Sequence, residues 1–258
     1  PEGLIEYAAC ADGKRYFGKH FISGFHPAQT FERVFSPWNR PATLKRTRGI
    51  PNTLSCFMLH ALVREQSLLY RRENLYIHLK DVWFDEEQTD KFPASFAVFF
   101  QEHPQQTGFA STFSVMCFMS YELCRQWEHT FHANGTNTRL DAAYQHFKTE
   151  YSQYILDSVL PYLKLETADI IKTEASTPLS FRDYLGSADG ATYGMEKNAY
   201  RHAEMTLSTR TRIPNLFLTG QNINMHGVLG VCITSVLCAA ELCGLDPLLE
   251  KINEAATG

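Results

Sequence analysis

The chain has 258 residues, of which 44% are apolar and 13% aromatic. This composition can supply a core for one large domain or two modest ones and excludes disorder of the whole chain. The net charge of −4 comes from well-mixed acids and bases, so nucleic acid is a poor candidate as a partner. The cysteines and histidines form no C-x-x-C pair and no H-E-x-x-H motif, and no metal site is predicted.

The sequence contains no targeting or membrane signal. No stretch reaches the roughly 18 uninterrupted apolar residues of a membrane span, and no secretory signal opens the chain. Together with cysteines that fit reduced, structural thiols, this predicts a cytoplasmic protein, with peripheral contact to a membrane left open. Because Pro1 is not an initiator methionine and a strand pattern follows almost at once, we expect a segment of a longer protein.

The first part of the chain predicts strands. An apolar stretch from Leu4 to Ala8 is followed by Asp12-Gly13, a strong turn signal, and by a second stretch that ends at Ser23, which predicts a β-hairpin. Four further runs, with no long helix between them, favour a largely antiparallel sheet. They extend from Thr53 to Leu62, Leu75 to Leu79, Ser95 to Phe100 and Phe109 to Met119.

The middle of the chain predicts helices and a long loop. Apolar residues at three- and four-residue steps predict a helix from Arg139 to Leu160, which Pro161 is expected to stop. A shorter helix is predicted from Tyr121 to Phe131. The stretch from Thr173 to His202 is predicted as a loop that is unusually rich in aromatic and charged side chains.

The end of the chain has the clearest pattern. The nearly all-apolar run from Asn215 to Thr219 predicts a strand buried on both faces, and a polar bend at Gly220-Gln221-Asn222 follows it. A helix is predicted from Gly227 to Cys243, and its apolar residues on every side predict burial all round. Gly244 is placed to end this helix, and Pro247 is expected to prevent its resumption.

A buried strand, a glycine-bearing bend and a helix start can together bind an anion or a dipole. The first helical turn leaves unpaired N–H groups, and the helix dipole places about half a positive charge there. Glycine at positions 227 and 230 would let a bulky planar ligand approach the backbone. The same pattern also fits a plain strand-to-helix connection in which both glycines serve packing alone.

Three segments carry a resemblance to the phytoene desaturase and retinol saturase group of FAD-dependent oxidoreductases, in the flavin amine oxidase-like superfamily. IPNLFLTGQNINMHGVLGVCITSVLCAAEL, Ile213 to Leu242, resembles the closing FAD motif of that group. Ser176 to Asn198, with a T-P-x-x-F-R-x-Y stretch and a G-x-x-Y-G loop, resembles a segment near flavin and substrate. ISGFHP, Ile22 to Pro27, resembles the strand that returns to the FAD domain.

The resemblance implies FAD as cofactor, with Gly220 and Gln221 on its ribityl and phosphate side. Related flavoproteins commonly have an acidic residue where this chain has Gln221, whose amide can still accept from a ribityl hydroxyl. No catalytic residue is assigned, and Tyr193 and His226 are the candidates. In the full-length protein, replacing Gly230 by valine is expected to impair flavin binding far more than folding, because the new side chain would stand between the backbone donors of the helix start and the flavin edge. The residues assigned to the flavin ring are His226, Gly227, Val228, Leu229, Gly230 and Val231.

The implied fold is mixed α/β, with a largely antiparallel substrate-domain sheet, helices and a remnant of the FAD-binding domain. Residues 1–30 would form the returning hairpin and strand of the FAD domain, 31–205 the substrate-binding domain, and 206–258 the closing strand and helix. No G-x-G-x-x-G occurs in the sequence. The N-terminal dinucleotide-binding segment is therefore expected to be missing, and FAD to be absent or weakly bound.

The implied activity adds or removes hydrogens at carbon–carbon bonds of an apolar polyene or isoprenoid, such as a carotenoid, and this isolated segment is expected to be inactive. The alternative is a non-catalytic module that binds an apolar ligand or a partner protein without FAD. The surface left by the missing domain is expected to promote self-association.

Overall fold

The computed structural model describes residues 3–80, 91–131 and 141–257. The chain divides into two compact units. The first unit combines residues 1–53 with 193–258, and the second unit comprises residues 54–192. These limits differ from the boundaries after residues 30 and 205 that the sequence predicts, and the assignment of the segments to FAD and substrate domains stays a prediction.

Strands and helices alternate irregularly along the described residues. The strands are β1 (Tyr7–Ala9), β2 (Arg15–Phe17), β3 (Phe21–Ser23), β4 (Ser55–Val63), β5 (Leu75–His78), β6 (Ser95–Glu102), β7 (Ala110–Met119), β8 (Ile170–Ser176) and β9 (Leu216–Leu218). The α-helices are α1 (Pro27–Arg33), α2 (Pro41–Arg48), α3 (Ala142–Leu163), α4 (Pro178–Leu185), α5 (His202–Met205), α6 (Gly227–Cys243) and α7 (Leu245–Thr257). The mixed α/β fold class is confirmed.

The first unit contains the predicted hairpin and the buried strand, but the second strand of the hairpin ends at Phe17, and the residues up to Ser23 form a separate strand, β3, in another sheet. β1 and β2 pair antiparallel, with Tyr7 opposite Phe17, and Gly13 takes the positive φ of +82° that the turn requires. β3 pairs in parallel with β9, with Ser23 opposite Leu218. All three residues of β9 are buried, which confirms the strand predicted there. The bend that follows starts from this buried strand.

Helix α6 has the predicted bounds, but two predictions about it are wrong. It ends at Gly244, whose φ is +84°. The prediction that Pro247 prevents a further helix is wrong, because α7 starts immediately after Gly244. Pro247 lies in the first turn of α7, where proline is tolerated. Burial all round is also wrong. The buried residues lie on one line at four-residue spacing, Gly230, Thr234 and Cys238, and the other residues of the helix are half-buried or exposed.

The second unit is built on a five-stranded antiparallel sheet in the order β5-β6-β7-β4-β8. All four strands predicted from this part of the sequence are confirmed. Helix α3 packs on one face of the sheet, where Phe57 contacts Tyr151 with ring centroids 4.7 Å apart. This contact belongs to a core that also contains Leu59, Phe113, Val115, Ile155 and Val159.

Two helix predictions for the second unit are wrong in part. Helix α3 continues past Pro161 and ends at Lys164, where φ is +56°. Pro161 has no N–H to donate to the carbonyl oxygen of Asp157. Both residues are exposed, so water can replace this hydrogen bond. The predicted helix start at Arg139 lies outside the described residues. The predicted helix from Tyr121 is a 3₁₀-helix that ends at Trp127.

Part of the predicted loop from Thr173 is regular structure. β8 is an edge strand whose polar side chains alternate outward, a pattern easily mistaken for a loop. Thr177 then starts α4 with a capping box to Ser180, and Pro178 occupies the first turn.

Candidate functional site

The predicted flavin-side residues lie on the bend between β9 and α6, in the first unit. Gly220 begins the bend with a φ of +91°, a conformation that favours glycine. Gln221 is half-buried beside it. The side-chain oxygen of Thr219 is buried and has no hydrogen-bond partner among the described residues. An orphan hydroxyl beside a backbone turn fits a polar chain such as ribityl, which can satisfy it.

The segment of residues 193–198, here called the Tyr193 loop, is fixed to this bend by three side chains, and the sequence reasoning selected only one of them, His226. The N–H of Met195 donates to Oδ1 of Asn222 over 2.9 Å, and Asn222 is buried. Gly194 has a φ of +76°, and a Cβ there would collide with the same side-chain oxygen. The glycine of the G-x-x-Y-G motif therefore lets the loop approach Asn222 closely.

Lys197 makes the second connection. Its Nζ donates to the carbonyl oxygens of Met205, Asn222 and Ile223 over 3.0, 2.9 and 3.1 Å. Burial lowers the pKa of Lys197 to about 8, because a half-buried ammonium loses hydration. Both Asn222 and Lys197 stand inside the segments that carry the resemblance, but their pairing spans 25 positions and has no periodic signal in the sequence.

His226 makes the third connection and is joined to the other catalytic candidate. Its Nε2 lies 2.7 Å from the carbonyl oxygen of Met195. Because a carbonyl only accepts, Nε2 is the donor in this bond, and Nδ1 is the ring nitrogen that the bond does not use. The ring of Tyr193 stacks on His226 with centroids 5.6 Å apart and planes inclined by 17°. The structure thus brings the two catalytic candidates together.

The start of α6 offers donors and apolar surface. His226 is the N-cap residue and makes no side-chain cap to the first turn. Gly227 is exposed with a φ of +76°, and a Cβ there would meet open space. Val228 is 84% and Leu229 71% exposed. An uncapped helix start next to two exposed apolar side chains fits the carbonyl-bearing edge of a flat apolar ring.

Gly230 and Val231 lie differently. Gly230 is buried, and a Cβ there would come within 2.6 Å of the carbonyl carbon of Met225. Its side-chain direction therefore points at the backbone of the bend, and the argument that valine here would stand between the helix and a flavin is wrong. Val231 is half-buried. Of the two glycines, Gly227 is the one that faces open space.

The T-P-x-x-F-R-x-Y segment has a structural role in the second unit. The hydroxyls of Thr177 and Tyr144 are 2.8 Å apart, in a buried hydrogen bond. Arg182 donates to the carbonyl oxygens of Glu128 and Thr130 over 2.7 and 2.6 Å. These bonds connect α4 to α3 and to the segment that follows the 3₁₀-helix.

One face of the sheet in the second unit carries a group of apolar side chains beside polar ones such as His60 and Ser114. Residues directly opposite each other in neighbouring strands share a face, which places Met58 beside Met116, and Phe99 beside Ser114. Alternation along β7 adds Phe118, which is 37% exposed. This set, Met58, Phe99, Met116 and Phe118, is called the open sheet face. Phe96 and Phe113, on the same strands, are core residues.

The described ranges contain neither a group of potential metal ligands nor a helix that could span a membrane. No group of three or more histidine, cysteine, aspartate or glutamate side chains there could hold a metal ion. Within the same ranges no helix combines the length and apolar character needed to cross a membrane.

The fold resembles that of a solved structure. A crystal structure of an oxidoreductase from Methanosarcina mazei matches 90% of this chain and 46% of its own length, with a TM-score of 0.51 and 12% identity. At this identity the likeness establishes the fold alone. No family model matches the sequence.

The sequence relatives are more specific. Proteins named all-trans-retinol 13,14-reductase are 27% identical in Danio rerio over 155 residues and 25% identical in Rattus norvegicus over 135 residues. The matches cover 59% and 51% of this chain but only 25% and 21% of those relatives. The chain thus spans about a quarter of their length. The resemblance to the retinol saturase group is confirmed.

Proposed function

We propose that the chain carries the flavin-facing bend and the substrate-binding sheet of an FAD-dependent oxidoreductase that acts on carbon–carbon double bonds of an apolar polyene. The observation that carries the proposal is the Tyr193 loop, fixed by Asn222, Lys197 and His226 to a bend that opens onto the uncapped start of α6. The retinol-reductase names of the relatives supply the substrate class.

FAD, when bound, supplies the gain or loss of a hydride. The backbone N–H groups in the first turn of α6, and the positive end of its dipole, would stabilise negative charge at the edge of the ring. Val228 and Leu229 would cover the ring and exclude water from it. Gly220, Gln221 and the Thr219 hydroxyl would hold the ribityl chain of FAD. The residues at the start of α6 fit a position beside the flavin ring.

His226 is placed to move a proton. Saturation of a double bond adds a proton as well as a hydride, and Nδ1 of His226 is the ring nitrogen that the bond to Met195 does not use. Tyr193 stacks on the imidazole and fixes its plane. We assign His226 as the candidate acid or base and Tyr193 as the residue that positions it.

The open sheet face would bind the polyene. Methionine adapts its shape to irregular apolar ligands, and Met58 and Met116 lie side by side on two central strands. The same face also favours the second candidate function, a module that binds an apolar ligand without a flavin. The two functions differ in what happens at the start of α6.

The test of flavin binding uses FMN, which carries the ring without the ADP half. Millimolar FMN should shift the amide resonances of Gly227, Val228 and Leu229 in the wild-type chain. Val228→Asp combined with Leu229→Asp should abolish these shifts and leave the thermal midpoint nearly unchanged, since acidic residues suit a helix start. Leu242→Asp, at the other end of the same helix, is the matched control and should keep them.

Shifts that are absent in the wild type at millimolar FMN, or that persist in the double variant, would rule out a flavin at this helix start. Retinol binding, followed by its fluorescence, then distinguishes the second candidate. Met116→Lys should weaken retinol binding about tenfold, because a buried cation opposes an apolar ligand. Ile171→Lys, on an exposed position of the edge strand β8, should leave it unchanged.

A further inference from the structure

The first unit contains a pocket that the proposed function does not use. It has a volume of about 380 Å³ and lies against α2 and the segment of residues 207–213. Ligand pockets in proteins typically measure about 300–1,000 Å³, so the volume suits a small molecule. None of the bend residues from Gly220 to Val231 lines it.

The walls of this pocket concentrate positive charge. Four arginines line it, and no aspartate or glutamate does, although the chain as a whole has a net charge of −4. The four are Arg40, Arg46, Arg210 and Arg212.

Two of these guanidinium groups are already engaged, and two are not. Arg46 donates to the carbonyl oxygens of Glu204 and Thr206 over 3.2 and 3.1 Å. Arg210 pairs with Glu241 over 2.7 Å. Arg40 and Arg212 are exposed, and neither forms an ion pair with any residue in the ranges that the structure describes.

The remaining wall is apolar and partly aromatic. Phe31, Ile213 and Leu218 contribute buried apolar surface at the base of the pocket. Trp38 also lines it and is 46% exposed, so part of the indole ring can stack against a flat group. The pocket therefore combines guanidinium groups, which suit phosphate oxygens, with a surface that suits a planar ring.

We propose that this pocket binds a nucleoside diphosphate group, with the phosphates on Arg40 and Arg212 and the base against Trp38. Guanidinium groups bind phosphate in a two-pronged geometry that a lysine cannot reproduce. The site is separate in sequence from the bend before α6, and the proposal stands whether or not that bend binds a flavin. The diphosphate can belong to a free nucleotide or to one half of a dinucleotide.

The test measures ADP, inorganic pyrophosphate and adenosine binding to the chain by calorimetry. ADP should bind most tightly, pyrophosphate more weakly, and adenosine not detectably. Arg40→Gln combined with Arg212→Gln should weaken ADP and pyrophosphate at least tenfold, the usual cost of losing a charge-assisted hydrogen bond. Arg33→Gln combined with Arg48→Gln removes the same charge from exposed positions of α1 and α2 and should change neither by more than twofold.

Trp38→Leu distinguishes the contribution of the base to binding from that of the phosphates. It should weaken ADP binding severalfold and leave pyrophosphate binding unchanged. Equal losses in both double variants would mean that only net charge attracts these anions, and the proposal would fail. Equal affinity for ADP and adenosine would also overturn it, since the arginines would then contribute nothing.

Competition identifies the source of the diphosphate. If FAD displaces ADP while FMN does not, the pocket binds the ADP half of a dinucleotide. If ADP binds unchanged in saturating FAD, the pocket serves a separate nucleotide. Either result supports the site, and failure of FMN to perturb the start of α6 has no bearing on it.

Discussion

Gly230 lies so close to Met225 that a Cβ on it would stand 2.6 Å from the carbonyl carbon and 2.8 Å from the Cβ of that residue. Even Gly230→Ala should therefore displace the bend from α6. We expect a loss of about 1–3 kcal/mol in the free energy of unfolding, the usual cost of overpacking, with a larger loss for Gly230→Val. Urea unfolding followed by circular dichroism measures it.

Cys232→Val is the control for helix propensity. Cys232 is exposed on the same helix, and valine there should leave the free energy of unfolding nearly unchanged, because cysteine and valine have similar helix propensities. A Gly230→Ala protein as stable as the Cys232→Val protein would show that the bend can move aside freely.

The bounds of β9 and α6 could be predicted from the sequence because short-range signals define them. Apolar residues mark the strand, and glycines mark both ends of the helix. The direction of Gly230 could not be predicted, since it depends on the path of the bend. The prediction that α6 is buried on every side was wrong for a related reason. Hydropathy shows which side chains a helix can bury, but the packing of neighbouring elements determines which face is buried.

The attachment of the Tyr193 loop was also beyond sequence reasoning. Residues that fix it, such as Asn222 and Lys197, are polar side chains in polar stretches, and their partners are backbone atoms in another segment. By contrast, Tyr193 and His226 were selected through resemblance, and the structure places them in contact. Resemblance was enough to locate the site, but the hydrogen bonds that fix the loop are seen only in the structure.

The bond from His226 to Met195 should contribute to stability. His226→Ala leaves the carbonyl of the buried residue Met195 without this donor, and an unsatisfied buried acceptor costs about 1–3 kcal/mol. His226→Gln retains an N–H donor and should recover part of the loss. Urea unfolding of the two variants tests this. Equal stability of the alanine variant and the wild type would mean that the bond is unimportant for fixing the loop.

The exposed apolar face of α6 should promote association between copies of the chain. Leu229, Ile233 and Leu237 follow one another at four-residue spacing, and all three are exposed. A stripe of this kind suits pairing with a second helix. Light scattering should show a mass that rises with concentration, and Ile233→Gln combined with Leu237→Gln should reduce it.

Phe35→Gln is the control for this association, because Phe35 is 98% exposed and lies outside α6. It should leave the mass unchanged. A wild-type chain that stays monomeric at high concentration would contradict the prediction outright.

The last prediction concerns pH and Lys197. Its folded-state pKa of about 8 lies below the ordinary value of 10.5 because of burial. Between these two values the unfolded chain holds more protons than the folded one, so the contribution of Lys197 to stability rises with pH across this window. Lys197→Met lacks this titration. The stability of the wild type relative to Lys197→Met should therefore rise from pH 8 to pH 10.5.

We expect that rise to be about 1–2 kcal/mol, after allowance for solvent screening of a half-exposed ammonium. Urea unfolding of both proteins at several pH values measures the difference, and the other lysines and tyrosines cancel between them. The three carbonyl acceptors act in the opposite direction, since they favour the charged ammonium. A difference that falls with pH would mean that these acceptors outweigh burial and that Lys197 fixes the Tyr193 loop as a cation throughout the window.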